Sequence, residues 1–343
     1  MLSIADMERD TQERLFAYLR QHLEGDWGNA KIRPIVGGQS NPTYLIDAGE
    51  KLYVLRKQPG GTLLPSAHAV DREFRVMHAL AETKVPVPGV LHFCASIDIV
   101  GTPFYVMVFV TGRVFKDPLL PQLQPAERAA VYDGMVTTLG ALHMVDYASI
   151  GLADFGRPGN YFGRQIDRWS RQYRDAGGNT IAAMDELIRR LPQFAPDDNL
   201  SSIVHGDFRL ENLLIAPQGT QVLAVVDWEL STLGHPLADL AYNCFYFRLP
   251  RHVFLGMGET NLAGTGIPSE EEYVSAYFRH TGITPSAPWP FYIAFAFFRL
   301  AAILHGMLQR ARKGNAKSDQ AAAQGILAGP CAEAGLAALR FIG

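Results

Sequence analysis

Charge is scarce in this chain, and it is balanced. Of 343 residues only 19% are charged, 31 Lys and Arg against 34 Asp and Glu, for a formal net charge of −3. That excludes charge-driven disorder and argues against a general nucleic-acid binder, whose basic footprint shows in the sum. Cysteine is scarcer still: Cys94, Cys244 and Cys331 are too few and too scattered for a disulfide framework or a zinc site, so a reducing, cytoplasmic setting is expected. No uninterrupted membrane-length apolar run exists. The nearest, 291–308, is broken by Arg299 and His305, reads as a buried core helix, and leaves no membrane association expected. The stretch after Met1 reads as an amphipathic, acidic helix without the basic start and apolar centre of a signal peptide. What the chain does have is apolar substance. At 48% apolar it can bury its own core, and its length suggests about two compact units.

The two units differ in character. Short β-branched or aromatic runs at 31–36, 43–47, 51–57, 90–94 and 104–110, punctuated by Gly, Pro and Asn, predict strands. One helix is predicted among them, over 67–81, with Val70, Phe74, Met77 and Ala81 at helical spacing. After Gly112 long helical patterns take over at 125–146, 159–175, 236–247, 269–280 and 289–312, with short strands at 213–216 and 222–226 between them. The expected fold class is α+β and bilobal: a small β-rich lobe over 1–111 and a larger, mostly helical lobe over 112–343. No internal repeat is present, and the only low-complexity segment is the Ala/Gly-rich tail at 321–339.

The densest chemical signal is Ile203-Val-His-Gly-Asp-Phe-Arg-Leu-Glu-Asn-Leu-Leu-Ile215, followed by Val225-Val-Asp-Trp-Glu229. An apolar strand enters a polar turn holding Asp207 and, five residues on, Asn212; a second apolar strand delivers Asp227. Phosphoryl transfer needs these parts: a carboxylate to take the proton of an attacking hydroxyl, and a carboxamide plus a carboxylate to hold Mg²⁺ against phosphates. The protein-kinase catalytic loop has the same Asp-to-Asn spacing. Singly these residues read as turn formers and caps; the ordered trio between apolar strands points to the site.

The front lobe supplies candidates for the other half. Ile35-Val-Gly-Gly-Gln-Ser-Asn-Pro-Thr-Tyr44 links two strands; its glycines either let backbone N–H groups approach a triphosphate or form a plain hairpin. It lacks a Gly-Lys-Ser/Thr ending, which disfavours a P-loop. The third strand ends in Val54-Leu-Arg-Lys57, and Glu73 shares a helix face with Val70, Met77 and Leu80. A carboxylate facing the sheet needs a partner. Arg56 is the natural one, and a surface pair using Lys57 is the alternative.

With those residues in view, His205-Gly-Asp-x-x-x-x-Asn212 and Asp227-Trp-Glu229 resemble the aminoglycoside phosphotransferase and choline kinase superfamily of protein-kinase-like folds. Gly38-Gln-Ser-Asn-Pro-Thr-Tyr44, Pro158-Gly-Asn-Tyr161, Gly234-His-Pro-Leu-Ala-Asp-Leu240 and Phe297-Phe-Arg-Leu-Ala-Ala-Ile-Leu304 are similar to the kinase-like domains fused to some acyl-CoA dehydrogenases. The resemblance covers nearly the whole chain. It implies ATP-dependent phosphorylation of a small-molecule hydroxyl, with hydroxyacyl-CoA thioesters as one acceptor class; aminoglycosides, or a nucleotide-binding regulatory module without turnover, are the alternatives. Gly206 stands where protein kinases carry an arginine, and no Ala-Pro-Glu segment follows Asp227, so neither a protein substrate nor an anchored activation loop is expected. The implied donor and cofactor are ATP and Mg²⁺: adenine against Met107, Val108, Phe109 and Val110, phosphates under Gly37, Gly38, Gln39, Ser40 and Asn41 and beside Arg56 with Glu73, metal on Asn212 and Asp227, and Asp207 as the base.

Arg209 follows Asp207 by two positions and either neutralises the transferred phosphoryl group or pairs with a carboxylate nearby. Asp239 reads as stabilising the positive end of its own helix, and His205 as a loop organiser. The lobe after Gly112 holds 20 Lys and Arg against 22 Asp and Glu, not the acidic surplus that polycationic aminoglycosides favour. In 163–175, Arg164, Arg168, Arg171 and Arg174 form one helical stripe opposite Phe162, Ile166, Trp169 and Tyr173. Two readings stand, a solvated face or an anion site for an acceptor carrying phosphates.

Overall fold

The computed structural model describes residues 7–35, 41–61, 68–312 and 323–342. Its N-terminal lobe is an antiparallel sheet of β1 (Lys31–Pro34), β2 (Thr43–Ala48), β3 (Lys51–Lys57), β4 (Val90–Cys94) and β5 (Phe104–Val108), in the order β1-β2-β3-β5-β4. Two helices cover it, one on each face: α1 (Arg9–Leu19) and α2 (Val70–Leu80). Period-two alternation decides which strand residues meet which helix. Tyr53 and Leu55 of β3, with Phe104 and Val106 of β5, join Leu15 and Leu19 of α1 in one apolar cluster. Arg56 lies opposite Tyr105 in the β3–β5 register, and Tyr105 packs with Val70, Met77 and Leu80 of α2. Lys57 therefore points the other way, its Nζ donating to the Val100 carbonyl at 2.6 Å. Arg56 belongs to the α2 face.

The C-terminal lobe is built around α8 (Trp289–Arg312), which packs against α4 (Tyr161–Ala176), α6 (Pro236–Asn243) and α9 (Ala328–Leu339). Among the described residues α8 alone is long and apolar enough to cross a membrane, yet 78% of its most apolar window is buried inside the lobe. α3 (Pro125–His143) pairs with α7 (Glu270–Thr281), and α5 (Ala182–Arg190) packs beneath α9. Two antiparallel ribbons carry the polar loops: β6 (Ser202–Val204) with β9 (Thr232–Gly234), and β7 (Leu213–Ile215) with β8 (Val222–Val225).

Most predicted elements are present with ends shifted by a few residues, and three corrections have physical causes. β9 was not expected, because three residues are too short to display alternation and its pairing with β6 is non-local. α6 stops at Asn243 and continues as a tighter turn over Cys244–Phe247. The tail read as low complexity contains α9, whose small residues permit close packing: a Cβ on Gly335 would sit 3.0 Å from the Phe297 Cβ and 3.2 Å from the Ala294 carbonyl of α8. Gly335→Val should therefore overpack this seam and cost about 1–3 kcal/mol. Gly329→Ala, where an added Cβ meets nothing within 4 Å, should gain up to about 1 kcal/mol of helix propensity. Urea denaturation of the two variants measures the contrast.

Candidate active site

The site begins where β6 ends. Gly206 has φ of +84°, and a Cβ there would lie 2.7 Å from the Leu230 carbonyl, so glycine is required both for conformation and for space. The N–H groups of His205 and Gly206 donate to the two carboxylate oxygens of Asp239 at 2.5 and 2.9 Å. The Gly206 carbonyl accepts from Arg299 at 2.6 Å. One short stretch of backbone is thus held by a buried anion from α6 and a buried cation from α8. The Arg299 guanidinium also lies against the rings of Tyr242 and Trp169, 5.2 and 5.8 Å from their centroids. Burial pushes the Asp239 carboxyl up, but His143, 3.5 Å away, and the backbone donors outweigh it and hold it below the usual carboxylate range.

His205 completes the turn. Its Nδ1 accepts from the Asp207 N–H at 3.2 Å and its Nε2 faces the Val226 carbonyl at 3.0 Å, which puts the ring proton on Nε2. Asn212, in the tight turn Leu210–Asn212, donates its amide to the Asp207 carbonyl and carboxylate at 2.9 and 3.1 Å. Asn243 donates to the Phe208 carbonyl at 3.1 Å. The Val226 N–H donates to the Asn212 carbonyl at 2.9 Å, and Asp227 follows in the left-handed region at φ 68°, ψ 57°, a strained conformation that functional turns often hold. The trio Asp207, Asn212 and Asp227 is brought to one edge of the lobe.

Across the cleft, Arg56 reaches three carboxylates. Its Nε lies 2.9 Å from Glu73, and its terminal nitrogen 2.6 Å from Asp227 and 3.6 Å from Glu229. Burial works against the charged guanidinium, yet Glu73 and the other carboxylates overcome it and its pKa rises. Glu73 is 1% exposed; burial lifts its carboxyl above the usual range, while Arg56 and hydrogen bonds from Tyr105 (3.0 Å) and Asn41 (2.6 Å) draw it back. Three carboxylates around one guanidinium leave an excess of negative charge, and Asn212, whose amide nitrogen is turned to Asp207, has its side-chain carbonyl oxygen to offer. Hard oxygen donors with surplus anionic charge fit Mg²⁺.

Gly37, Gly38, Gln39 and Ser40 lie outside the described residues. Asn41, expected with them against phosphates, turns its side chain to Glu73 and His68. At the strand end, Met107, Phe109 and Val110 are half-buried and Val108 exposed; the N–H groups of Val108 and Phe109 already donate to Gly89 and Leu52. Arg209 pairs with Asp207 at 3.3 Å and Glu211 at 3.0 Å, the carboxylate-pairing alternative. On α4 the aromatic stripe faces inward. Arg164 folds back onto the carbonyls of Arg157 and Gly159, so it leaves the stripe, while Arg168, Arg171 and Arg174 are exposed.

Two residues have roles missed from sequence. Asp239 lies in the first turn of its helix as expected, but its carboxylate also holds the loop before Asp207, a role the sequence did not suggest. Arg299 reads from the sequence only as an interruption of an apolar stretch. A lone charge in a buried helix demands a partner, and that signal was available; the partner, 93 residues earlier, was not.

The profile of the phosphotransferase enzyme family matches residues 31–274. Over 322 residues the chain is 46% identical to acyl-CoA dehydrogenase family member 10 of Mus musculus, covering 92% of this chain and 30% of that protein. It is 42% identical over 328 residues to acyl-CoA dehydrogenase family member 11 of Homo sapiens, covering 94% and 42%. The chain spans less than half the length of these curated relatives. Among solved structures, a candidate aminoglycoside phosphotransferase from Ralstonia eutropha JMP134 has a TM-score of 0.89 at 44% identity, covering 96% of this chain and 98% of that one. An aminoglycoside phosphotransferase solved with AMP-PNP and hygromycin B has a TM-score of 0.64 at 17% identity, covering 96% and 99%, and shares the fold alone. The bilobal kinase-like α+β fold expected from the motifs is the fold of the chain.

The buried carboxylate yields a pH-dependent prediction. Because Asp239 is held below its unfolded value of about 3.9, its contribution to stability is complete above that value and is lost as pH falls through the folded pKa. Asp239→Asn turns one N–H acceptor into a donor and should cost about 2–4 kcal/mol at neutral pH. The gap between parent and variant should stay constant above about pH 5 and narrow below about pH 4. Denaturant titrations across that range measure it.

Proposed function

Since the chain belongs to the phosphotransferase enzyme family, we propose that it transfers the γ-phosphoryl group of ATP to a hydroxyl of a small molecule. The observation that carries this reading is the reach of Arg56 from the sheet to Asp227, 2.6 Å, beside Asp207 and Asn212. Asp207 orients the acceptor hydroxyl and takes its proton as the oxygen bonds to phosphorus and ADP departs. Arg56, held by Glu73, donates to phosphate oxygens. Asn212 and Asp227 hold Mg²⁺, which when bound offsets the charge on those oxygens. Phosphotransferases of the same fold solved with AMP-PNP or with ADP support the choice of donor.

For the acceptor we favour a hydroxyacyl-CoA thioester. Two observations support it: long relatives bear acyl-CoA dehydrogenase names, and α4 carries exposed Arg168, Arg171 and Arg174, guanidinium groups suited to phosphate. An aminoglycoside acceptor is the second reading, favoured by the name of the neighbour at 44% identity; growth of a susceptible host on kanamycin separates the two.

Asp207→Asn should lower turnover by about 10²–10⁴-fold with ATP binding retained, whereas Asp227→Asn should weaken the magnesium-dependent part of ATP binding. Activity of Asp207→Asn equal to the parent, on an acceptor whose mass gain proves phosphorylation, overturns the assignment.

The acceptor reading has its own check. Arg168→Glu with Arg171→Glu should raise KM for the acyl-CoA strongly and for ATP little, and the effect should fade with salt. A truncated acceptor with the same hydroxyl should be indifferent. An unchanged KM for the full acyl-CoA would make the stripe a solvated face.

A further inference from the structure

Glu73 positions Arg56 only if α2 stays where it is, and the structure contains a device that fastens α2 to the other lobe. Helical spacing puts Glu73, Met77 and Leu80 on the sheet side and Arg72 and Arg75 on another flank. The Arg72 guanidinium donates to the Phe155 carbonyl at 2.6 Å and the Ser231 carbonyl at 3.4 Å, and lies 4.2 Å from the centroid of the Phe155 ring. Phe155 is 1% exposed, a fixed anchor. Ser231 ends the turn that Asp227 begins, and its hydroxyl donates to the Val204 carbonyl of β6 at 2.9 Å, one residue before the loop leading to Asp207. A single guanidinium therefore touches α2, the segment before α4 and the turn of Asp227. Arg75 pairs with Asp154 and donates to the Gly151 carbonyl at 2.8 Å, but that ion pair is open to solvent, where such pairs contribute little and are screened by salt.

We infer that Arg72 is a positioning residue of the phosphate site: it locks α2 onto the Asp227 turn, so that Glu73 and Arg56 are assembled before nucleotide arrives. This rests on the proposed reading of Arg56 as a phosphate ligand. One terminal nitrogen serves both carbonyls while the planar guanidinium lies over the Phe155 ring; lysine offers a compact, strongly hydrated ammonium without the planar surface that stacks on the ring.

The test uses Arg72→Met, Arg72→Lys and Arg75→Ala in the full chain, with a fluorescent ATP analogue as probe and amide hydrogen exchange as a second readout. If losing the clamp leaves α2 in place about a tenth of the time, the dissociation constant rises about tenfold. Arg72→Met should show that rise, with faster exchange in α2 and unchanged protection in α8. Arg72→Lys should recover little, and Arg75→Ala should stay within about twofold of the parent at moderate salt. Lower thermal stability with unchanged affinity and α2 exchange would make Arg72 merely structural and overturn the inference. Failure of the parent to bind the analogue would instead sink the phosphotransferase reading, while α2 exchange in Arg72→Met would still decide whether the clamp exists.

Discussion

The placement of Asp207 depends on how the backbone at Gly206 is held. Asp239 and Arg299 are both buried and opposite in charge, yet neither is neutralised by direct contact with the other in the hydrogen bonds described; each is satisfied by peptide dipoles on one stretch of chain. Burying an ion is expensive, and charge-assisted hydrogen bonds in a low-dielectric interior are what offset it. The arrangement transmits the rigidity of α6 and α8, the centre of the C-terminal core, to the residue after Gly206. Asp207 is a loop residue with the positional constraint of a core residue.

Arg56 plays the corresponding part between lobes. One guanidinium facing Glu73, Asp227 and Glu229 makes the relative position of sheet and C-terminal lobe an electrostatic matter. Glu73 is the fixed end, enclosed by Tyr105 and Asn41, whereas the Asp227 side chain is 35% exposed. Under the proposed function the exposed contact is the one that phosphate and metal can share, and the enclosed one persists. The left-handed backbone of Asp227 then serves to turn its carboxylate into the cleft without lengthening the turn.

Legibility followed the range of the interactions. The polar turn from His205 to Asn212 and the strand delivering Asp227 could be read because their geometry is local: five residues from Asp207 to Asn212 is the span that the amide of Asn212 closes. Arg56 against Lys57 could be argued from strand parity plus one helix face, and the register agrees. Asp239, Arg299 and Asn243 act on backbone atoms tens of residues away, so composition and spacing carried nothing about their partners. β9 and α9 were missed for a related reason, since three-residue strands and Ala/Gly-rich helices owe their existence to tertiary packing rather than to their own patterns; α5 was missed as well, although Ala183, Met184 and Leu187 give it a buried face of its own.

The stretch after Asp227 explains why the α2 clamp matters. In 228–235 the chain makes one tight turn, enters β9 and pairs straight back onto β6, so the connection to α6 is too short to form a long segment that swings between positions. A kinase-like site lacking such a segment has no moving part there with which to set α2. The setting must come from fixed contacts, and Arg72 makes them with the same turn, through the Ser231 carbonyl. Glu73 is then constrained from both sides, by Arg56 from the sheet and by the helix that Arg72 anchors, so under the proposed function the phosphate side of the site is assembled by the fold itself.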